Sequence, residues 1–268
     1  MSRATSRGRT PWPLGVPALL GALLLVVPLA GVLVRAPWRG LSDIVRTPAV
    51  LDALWLSLYS ATLATGISIV LGVPLAFVLA RSTVPGLRLL RALVTLPLVL
   101  PPVVGGVALL LVMGRNGLVG QYLDAWFGIT LPFTTNAVVL AETFVAMPFL
   151  VVAVEGAFRS ADQGYDEAAA TLGAGRLTVF WRVSLPLIRP ALVAGSVLCW
   201  ARALGEFGAT VTFAGNLPGV TQTMPLAVYL QMETDPDAAL ALSLVLLAVS
   251  ITVLFALRGR WVNAAGAA

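Results

Sequence analysis

Two ionisable residues inside a long apolar stretch are the first candidates for chemistry. Arg202 and Glu206 stand four residues apart between positions 191 and 213, a spacing that brings two side chains onto one face of a helix. Ionisable groups at membrane depth are costly, which makes them functional candidates. The pair either neutralises itself and fixes this helix to a neighbouring one, or Arg202 attracts an anion that Glu206 keeps from binding tightly. Thr210 is a neutral donor close by, and weak donors suit a pathway that must release its cargo.

The composition excludes most enzymatic chemistry. The chain has 268 residues without a histidine, all 17 of its basic residues are arginine, and Cys199 is its one cysteine. It therefore lacks imidazole bases, Schiff-base lysines, the lysine of a phosphate-binding P-loop and the cysteine clusters that hold metals. A serine or aspartate nucleophile of an intramembrane hydrolase would find no supporting base. We therefore expect no catalytic residue, metal site or cofactor in this chain, and energy for any uphill process must come from a partner.

Long apolar stretches predict an all-α integral membrane protein with about six transmembrane helices. Hydrophobic residues make up 59% of the chain and charged residues 11%, whereas about 25% of a soluble domain is charged. A helix needs about 20 apolar residues to cross a bilayer. The stretches that qualify are 14–34, 53–80, 93–113, 136–154, 191–213 and 238–257. We expect them to form a single domain over 14–257.

The arginines between these stretches predict the orientation. Cytoplasmic connections accumulate basic residues, and the connections on one side hold twelve arginines against four on the other. Both termini are therefore expected in the cytoplasm, as a basic tail over 1–13 and a short tail over 258–268. The first stretch is longer than the core of a cleaved signal peptide, so we expect it to remain as a span. The net charge of +5 is spread between apolar stretches, which predicts a lipid bilayer and no nucleic acid as partner.

Prolines and glycines weaken the start of the predicted third span. Pro101 and Pro102 are followed closely by Gly105 and Gly106, and proline removes a helical hydrogen bond. Proline is ordinary in membrane helices whose neighbours satisfy the freed carbonyls, but a broken helix at membrane depth must face protein or a water-filled cavity. These four residues are therefore candidates for the wall of a transport pathway.

The longest cytoplasmic connection, 160–186, is predicted to be structured. Ser160 and Gln163 match a capping box that starts a helix, and Gly173 is expected to end that helix. A second short helix is expected over 176–183. The connection therefore predicts two short helices on the cytoplasmic side of the membrane.

The first of these helices has an apolar stripe made mostly of small residues. Tyr165, Ala168, Ala169 and Leu172 recur at helical spacing. Small side chains allow a short helix to sit deep in a groove on another protein. A helix lying on the lipid headgroups is the alternative, but it would carry bulky anchors and few acidic residues. The stripe thus favours a protein partner.

The spacing of residues in this connection resembles a known family motif. The matching residues are Glu167, Ala168, Ala169, Gly173, Val183, Leu185 and Pro186. They resemble the EAA motif of permease subunits of bacterial ABC importers, with valine in place of the usual isoleucine. The resemblance implies a type I ABC importer permease fold whose coupling helices, in this connection, dock on ATP-hydrolysing subunits. ATP and Mg²⁺ are then used by the partner and not by this chain.

Three further runs narrow the resemblance. Residues 96–106, 114–120 and 202–216 are similar to those of molybdate importer permeases, and sulfate permeases share part of the last run. The resemblance implies a core of about 53–257, a homodimer, two ABC ATPase subunits and an extracytoplasmic molybdate-binding protein. It also implies a location in the bacterial cytoplasmic membrane.

The substrate stays open at this point, because molybdate, tungstate and sulfate are tetrahedral dianions of similar size. ATP-driven import of molybdate has two alternatives, which are sulfate import and secondary transport driven by an ion gradient. The outer loop 214–237 holds Asn216 and a polar run over 221–223. We expect this loop to be the landing surface of the binding protein.

Overall fold

The computed structural model of the protein describes residues 12–265, and this part of the chain is helical without strands. Residues 1–11 and 266–268, which belong to the two predicted tails, lie outside the described residues. The helices are α1 (Trp12–Arg35), α2 (Leu41–Val45), α3 (Pro48–Arg81), α4 (Leu87–Thr95), α5 (Pro102–Met113), α6 (Gly120–Phe127), α7 (Thr135–Ser160), α8 (Gly164–Thr171), α9 (Arg176–Val179), α10 (Leu185–Leu187), α11 (Arg189–Leu204), α12 (Gly208–Phe213), α13 (Met224–Thr234) and α14 (Pro236–Ala265). A 3₁₀ turn, Leu96–Leu98, extends α4, and a π-helical stretch, Phe180–Ser184, joins α9 to α10.

Four helices within the described residues are long and apolar enough to cross a membrane alone. They are α1, α3, α7 and the first part of α14. Two bent pairs raise the number to six if each pair is counted as one span, namely α4 with α5, bent by 116°, and the α9–α10 run with α11, bent by 76°. The predicted number of spans is therefore reached only with broken helices.

The third span, predicted over 93–113, is broken near its start, where the sequence predicts a weakened helix. The 3₁₀ turn after α4 ends at Leu98, and α5 starts at Pro102. Pro101 has φ −54° and ψ 131°, because a residue that precedes proline is driven out of the α region. Pro102 then opens α5, where the missing N–H is not needed. The proline pair thus sets both the break and the new start.

The helix expected over 191–213 is also interrupted. α11 ends at Leu204 and α12 starts at Gly208. In the break, Oε1 of Glu206 accepts a hydrogen bond from the N–H of Ala209 at 2.8 Å, as a side-chain oxygen does at the start of a helix. The outer loop expected over 214–237 also contains a helix, α13, which the sequence interpretation missed.

The last helix starts near the expected position and runs further than expected. Oδ1 of Asp235 accepts hydrogen bonds from the N–H groups of Asp237 and Ala238, each at 3.1 Å. α14 continues to Ala265, so the boundary predicted at 257 is not the end of a helix. Loss of hydropathy marks where a span leaves the membrane, and a helix can continue into water beyond that point.

Small residues bring α3, α7 and α11 together into a central core. A Cβ atom added at Gly72 of α3 would lie 3.1 Å from Cγ2 of Val151, and one added at Gly195 of α11 would lie 3.1 Å from Cβ of Ala153. Such contacts let helix backbones approach closely in a membrane. A second buried cluster joins α5, α7 and α12, and a third joins α3, α13 and α14. α1 lies outside these clusters with its side chains largely exposed.

Candidate functional site

The coupling segment, defined as residues 160–186, lies at one end of the spans. We call this the inner end, because the arginine distribution predicts that it faces the cytoplasm.

The capping box predicted from Ser160 and Gln163 is wrong. Ser160 is the last residue of α7, where its hydroxyl donates to the carbonyl of Gly156 at 3.0 Å. Instead, Oδ1 of Asp162 accepts a hydrogen bond from the N–H of Gly164 at 2.9 Å, which opens α8. α7 extends beyond its predicted end at 154 and therefore includes Ser160.

Gly173 ends α8 as predicted. Its φ is +87°, a left-handed conformation that glycine adopts without steric cost. The N–H of Ala174 reaches back to the carbonyl of Ala169 at 3.0 Å, which satisfies an acceptor at the end of the helix. The second helix does not stop after 183, because it continues through a π-helical stretch into α10 and ends at Leu187.

Most of the predicted coupling residues are accessible. Glu167, Ala168 and Gly173 are exposed, and Ala169 is half-buried. Leu172, from the predicted stripe, is 89% exposed. An apolar side chain this open outside the spans is a candidate contact for another protein. Leu185 is half-buried and Pro186 is exposed, and both lie in α10 at the far end of the segment.

A partly buried carboxylate, that of Asp166, joins the coupling segment to α3. Oδ1 of Asp166 accepts a hydrogen bond from the hydroxyl of Ser184 at 2.9 Å. Its Oδ2 lies 3.5 Å from Nη2 of Arg81, and the same Nη2 donates to the carbonyl of Ala161 at 3.4 Å. Ser184 is buried, and 11% of the Arg81 side chain is exposed. We call these four residues the Asp166 junction. It fastens α8, the π-helical stretch and the last residue of α3 to one another.

Sequence reasoning missed this junction. Asp166 lies in the first turn of α8, where an acidic side chain is favoured by the helix dipole. Its presence in the sequence is therefore explained without a partner. Arg81 adds to the positive charge that is ordinary on the cytoplasmic side. Arg81 and Asp166 are far apart along the chain, and no sequence pattern connects them. Their pairing could therefore not be predicted from the sequence.

A second ionic cluster lies near the inner end of α7. Oε1 of Glu155 accepts hydrogen bonds from Nε of Arg91 at 2.8 Å and from Nε of Arg159 at 3.0 Å. The side chain of Glu155 is 8% exposed, so two arginines share one largely buried carboxylate. Arg91 also donates to the carbonyl of Leu79 at 2.9 Å. This cluster ties α4 to α3 and α7.

The glycines predicted in a pathway wall make close helix contacts. A Cβ atom at Gly106 would lie 2.7 Å from Cβ of Thr212 and 2.8 Å from the carbonyl oxygen of Ala209. One at Gly105 would lie 3.0 Å from Cε1 of Phe144. These faces of α5 are therefore packed against α12 and α7 and do not border a pathway in this conformation.

Pro101 is the last residue of the break before α5, and Pro102 is the first residue of α5. Pro101 is exposed and Pro102 is half-buried. A Cβ atom at Gly208 would lie 2.9 Å from Cβ of Pro102, so the start of α12 also touches this break. We predicted that this break borders a transport pathway, and this stays a prediction.

Arg202 and Glu206 form the expected ion pair, with Nη1 2.6 Å from Oε2. Glu206 is 1% exposed. Its other oxygen caps α12 through Ala209, so the pair holds the break between α11 and α12 and does not fix α11 to a separate neighbouring helix. Thr210 is fully buried, and it is therefore not accessible from a pathway in this conformation.

The outer loop is folded more tightly than predicted. Thr221, Gln222 and Thr223 are all buried, so the polar run over 221–223 does not form a landing surface. Oγ1 of Thr221 accepts a hydrogen bond from the N–H of Leu217 at 2.9 Å, which turns the run inward. Asn216 is half-buried. The exposed parts of this loop are 217–220, 229–230 and 232–237.

Groups of acidic residues, cysteine and histidine that could hold a metal ion are absent from the described residues. The geometry instead offers an accessible pair of short helices, a junction that ties them to the spans, and broken helices around α5 and α12. Such an arrangement can transmit movement from one end of a membrane protein into its interior.

Known proteins that resemble this chain are components of transport systems. A model of the family described as "Binding-protein-dependent transport system inner membrane component" matches residues 68–264. The chain is 52% identical to the molybdenum transport system permease protein ModB of Mycobacterium tuberculosis, over 91% of this chain and 92% of that protein. It is 37% identical to the sulfate transport system permease protein CysT of Salmonella typhimurium, over 91% and 89%. A bacterial alginate ABC transporter, solved with a periplasmic protein bound, has a similar fold at 16% identity, with a TM-score of 0.75 over 92% of this chain and 91% of that one.

The contact between α5 and α12 predicts a large effect of a small substitution. Gly106→Ala places a methyl group against Cβ of Thr212 and the backbone of Ala209, so we expect a destabilisation of about 1–3 kcal/mol from overpacking. The measurement is thermal unfolding of the purified protein in detergent. Gly66→Ala in α3 is the control, because its Cβ would meet nothing within 4 Å. Equal melting temperatures for the two variants would contradict the close contact.

Proposed function

This chain belongs to the family of binding-protein-dependent transport system inner membrane components, and from that premise we propose that it is the permease subunit of an ABC importer for molybdate. The observation that carries the substrate is its 52% identity to a molybdenum transport permease over nearly the whole of both chains. Sulfate import is the second candidate, because the identity to a sulfate permease is 37% over a similar length.

We propose the partners that the sequence resemblance implies. Two copies of this chain form the pathway in the bacterial cytoplasmic membrane, with both termini inside. Two ABC ATPase subunits bind and hydrolyse ATP with Mg²⁺, and an extracytoplasmic protein delivers the anion. This division of labour suits a chain that has no lysine and no histidine of its own for nucleotide chemistry.

The coupling segment is the proposed contact with the ATPase. Glu167, Ala168 and Leu172 are exposed together on or beside α8, and small residues at this position allow a close approach to a groove. Closure of the two ATPase subunits then moves α8. The transporter alternates between outward and inward openings by this type of rigid-body movement.

The Asp166 junction is the proposed route from α8 into the membrane. Asp166 moves with α8, and its carboxylate contacts Arg81 at the end of α3 and Ser184 before α10. α3 and α11 both pack on α7, and α11 follows α10 directly. Movement of α8 therefore reaches two helices of the central core through one carboxylate.

Break points in the spans are the proposed gate. The α4–α5 break and the α11–α12 break lie next to each other through the contact between Pro102 and Gly208. Helices that are already interrupted can change their bend at little cost in hydrogen bonds. We propose that α5 and α12 move as one packed unit, held by Gly106, when the pathway opens.

Reconstitution tests the proposed function. Proteoliposomes that contain this chain, its ATPase and its binding protein should accumulate labelled molybdate only when ATP and the binding protein are both present. Unlabelled sulfate in excess should compete weakly. Uptake of molybdate by this chain alone, driven by a proton or sodium gradient, would overturn the proposal, and preferential uptake of sulfate would favour the second candidate.

A substitution that removes one charge and keeps the side-chain shape tests the route through the junction. Asp166→Asn removes the charge opposite the largely buried Arg81, and we expect ATP-driven uptake to fall by about tenfold or more, because movement of α8 is then passed less effectively to α3. The ATPase activity of the assembled complex should persist, because docking residues are untouched. Uptake and ATP hydrolysis are measured on the same proteoliposomes.

Two further variants make that result specific. Asp162→Asn changes an exposed carboxylate of the same segment that contacts only Gly164 among the described side chains and backbone groups, so uptake should change little. Glu167→Arg should prevent docking and abolish both uptake and its coupled ATP hydrolysis. If Asp166→Asn behaves like Asp162→Asn, movement does not pass through the junction.

A further inference from the structure

A cavity of about 440 Å³ opens at the inner end between the turn that links α3 to α4, α4 itself and α7. Its polar lining is made by Ser82, Thr83, Arg88, Arg91, Arg159 and Gln163. Its lining includes Gln163 of the coupling segment but none of the four residues of the Asp166 junction. Acidic side chains are absent from its lining.

The charges around this cavity do not balance. Arg91 and Arg159 share one carboxylate, that of Glu155, through a single oxygen at 2.8 and 3.0 Å. Arg88 makes no ion pair with any residue between 12 and 265. Three guanidinium groups thus face one carboxylate, which leaves about two positive charges for a ligand. Guanidinium groups bind phosphate-type anions strongly, because they offer parallel donors.

Neutral donors in the same cavity lack acceptors. The hydroxyls of Ser82 and Thr83 make no hydrogen bond within the described part of the chain, and the N–H of Arg88 makes no backbone hydrogen bond there. That N–H belongs to the first turn of α4, a nine-residue helix. A helix start favours an anion. Three arginines, two hydroxyls and one backbone donor therefore belong to residues that line the same cavity.

The surroundings of the cavity match the depth of lipid headgroups. Leu89 and Leu93 of α4 are 66% and 54% exposed, although Arg88 and Arg91 lie on the same short helix. A helix with leucines on one side and arginines on the other lies at the boundary between acyl chains and headgroups. Basic pockets on the cytoplasmic side of membrane helices suit anionic headgroups.

We propose that this cavity binds a tetrahedral phosphate-type oxyanion, supplied by the headgroup of an anionic phospholipid or by a free anion of the cytoplasm. Arg88 is the principal ligand, and Ser82 and Thr83 are supporting donors. Gln163, the residue before α8, also lines the cavity, so a bound anion contacts the start of the coupling segment. None of the residues predicted for the transported anion's pathway lines this cavity.

Native mass spectrometry of the full-length chain, purified in detergent, tests this site. One arm adds phosphatidylglycerol or phosphatidylethanolamine, and the other adds inorganic phosphate or molybdate. Each arm compares the unmodified chain with Arg88→Gln and with Arg189→Gln. Arg189 is an exposed inner-end arginine outside the cavity, so its variant controls for the loss of one positive charge.

The affinity for the lipid or the free anion should weaken by about fivefold in Arg88→Gln and stay unchanged in Arg189→Gln. A fivefold loss is expected for one arginine near a membrane surface. Preference for phosphatidylglycerol that is lost in Arg88→Gln identifies a lipid headgroup, and loss of phosphate or molybdate binding in that variant identifies a free anion. Equal binding to all three proteins in both arms would overturn the site. So would equal loss in both variants, because that result reflects net charge alone.

Discussion

The constraint on which this structure depends is that one carboxylate, Asp166, must hold three elements at once. It accepts from Ser184, faces Arg81 and thereby keeps α8 against the end of α3. An exposed pair of short helices without this link would move freely when pulled by a partner. We propose that this link carries displacement of α8 into helices that span the membrane. The rest of the proposed cycle needs this rigidity.

A second requirement arises inside the membrane, where backbone groups must find partners within the protein. The chain meets it at both broken spans. Pro102 starts α5 at a position that needs no donor, and Glu206 caps α12 while it neutralises Arg202. Gly106 and Gly208 then allow α5 and α12 to pack closely enough to exclude solvent. Residues that resemble pathway features in the sequence are thus occupied in making stable breaks, which is what a movable gate requires.

The sequence was sufficient for features that depend on composition or on local chemistry. Apolar length located the spans, and Gly173 located the end of α8. It was insufficient for features that depend on competition between equivalent local signals. Ser160 could have capped α8 or ended α7, and only the packing of α7 decides between them. α13 has eleven residues of mixed polarity, which is too short for a clear helical pattern. The partners of Asp166 lie in separate elements, and no local rule connects them.

A double-mutant cycle on Arg81 and Asp166 tests the central claim most directly. Uptake per ATP hydrolysed is measured in reconstituted transporter for Arg81→Gln, for Asp166→Asn and for the double variant. If the two side chains act as one link, the double variant loses no more than the worse single variant, which corresponds to a coupling energy of about 1 kcal/mol or more. Losses that multiply, so that the coupling energy is close to zero, would show that the two residues act independently and would contradict the account.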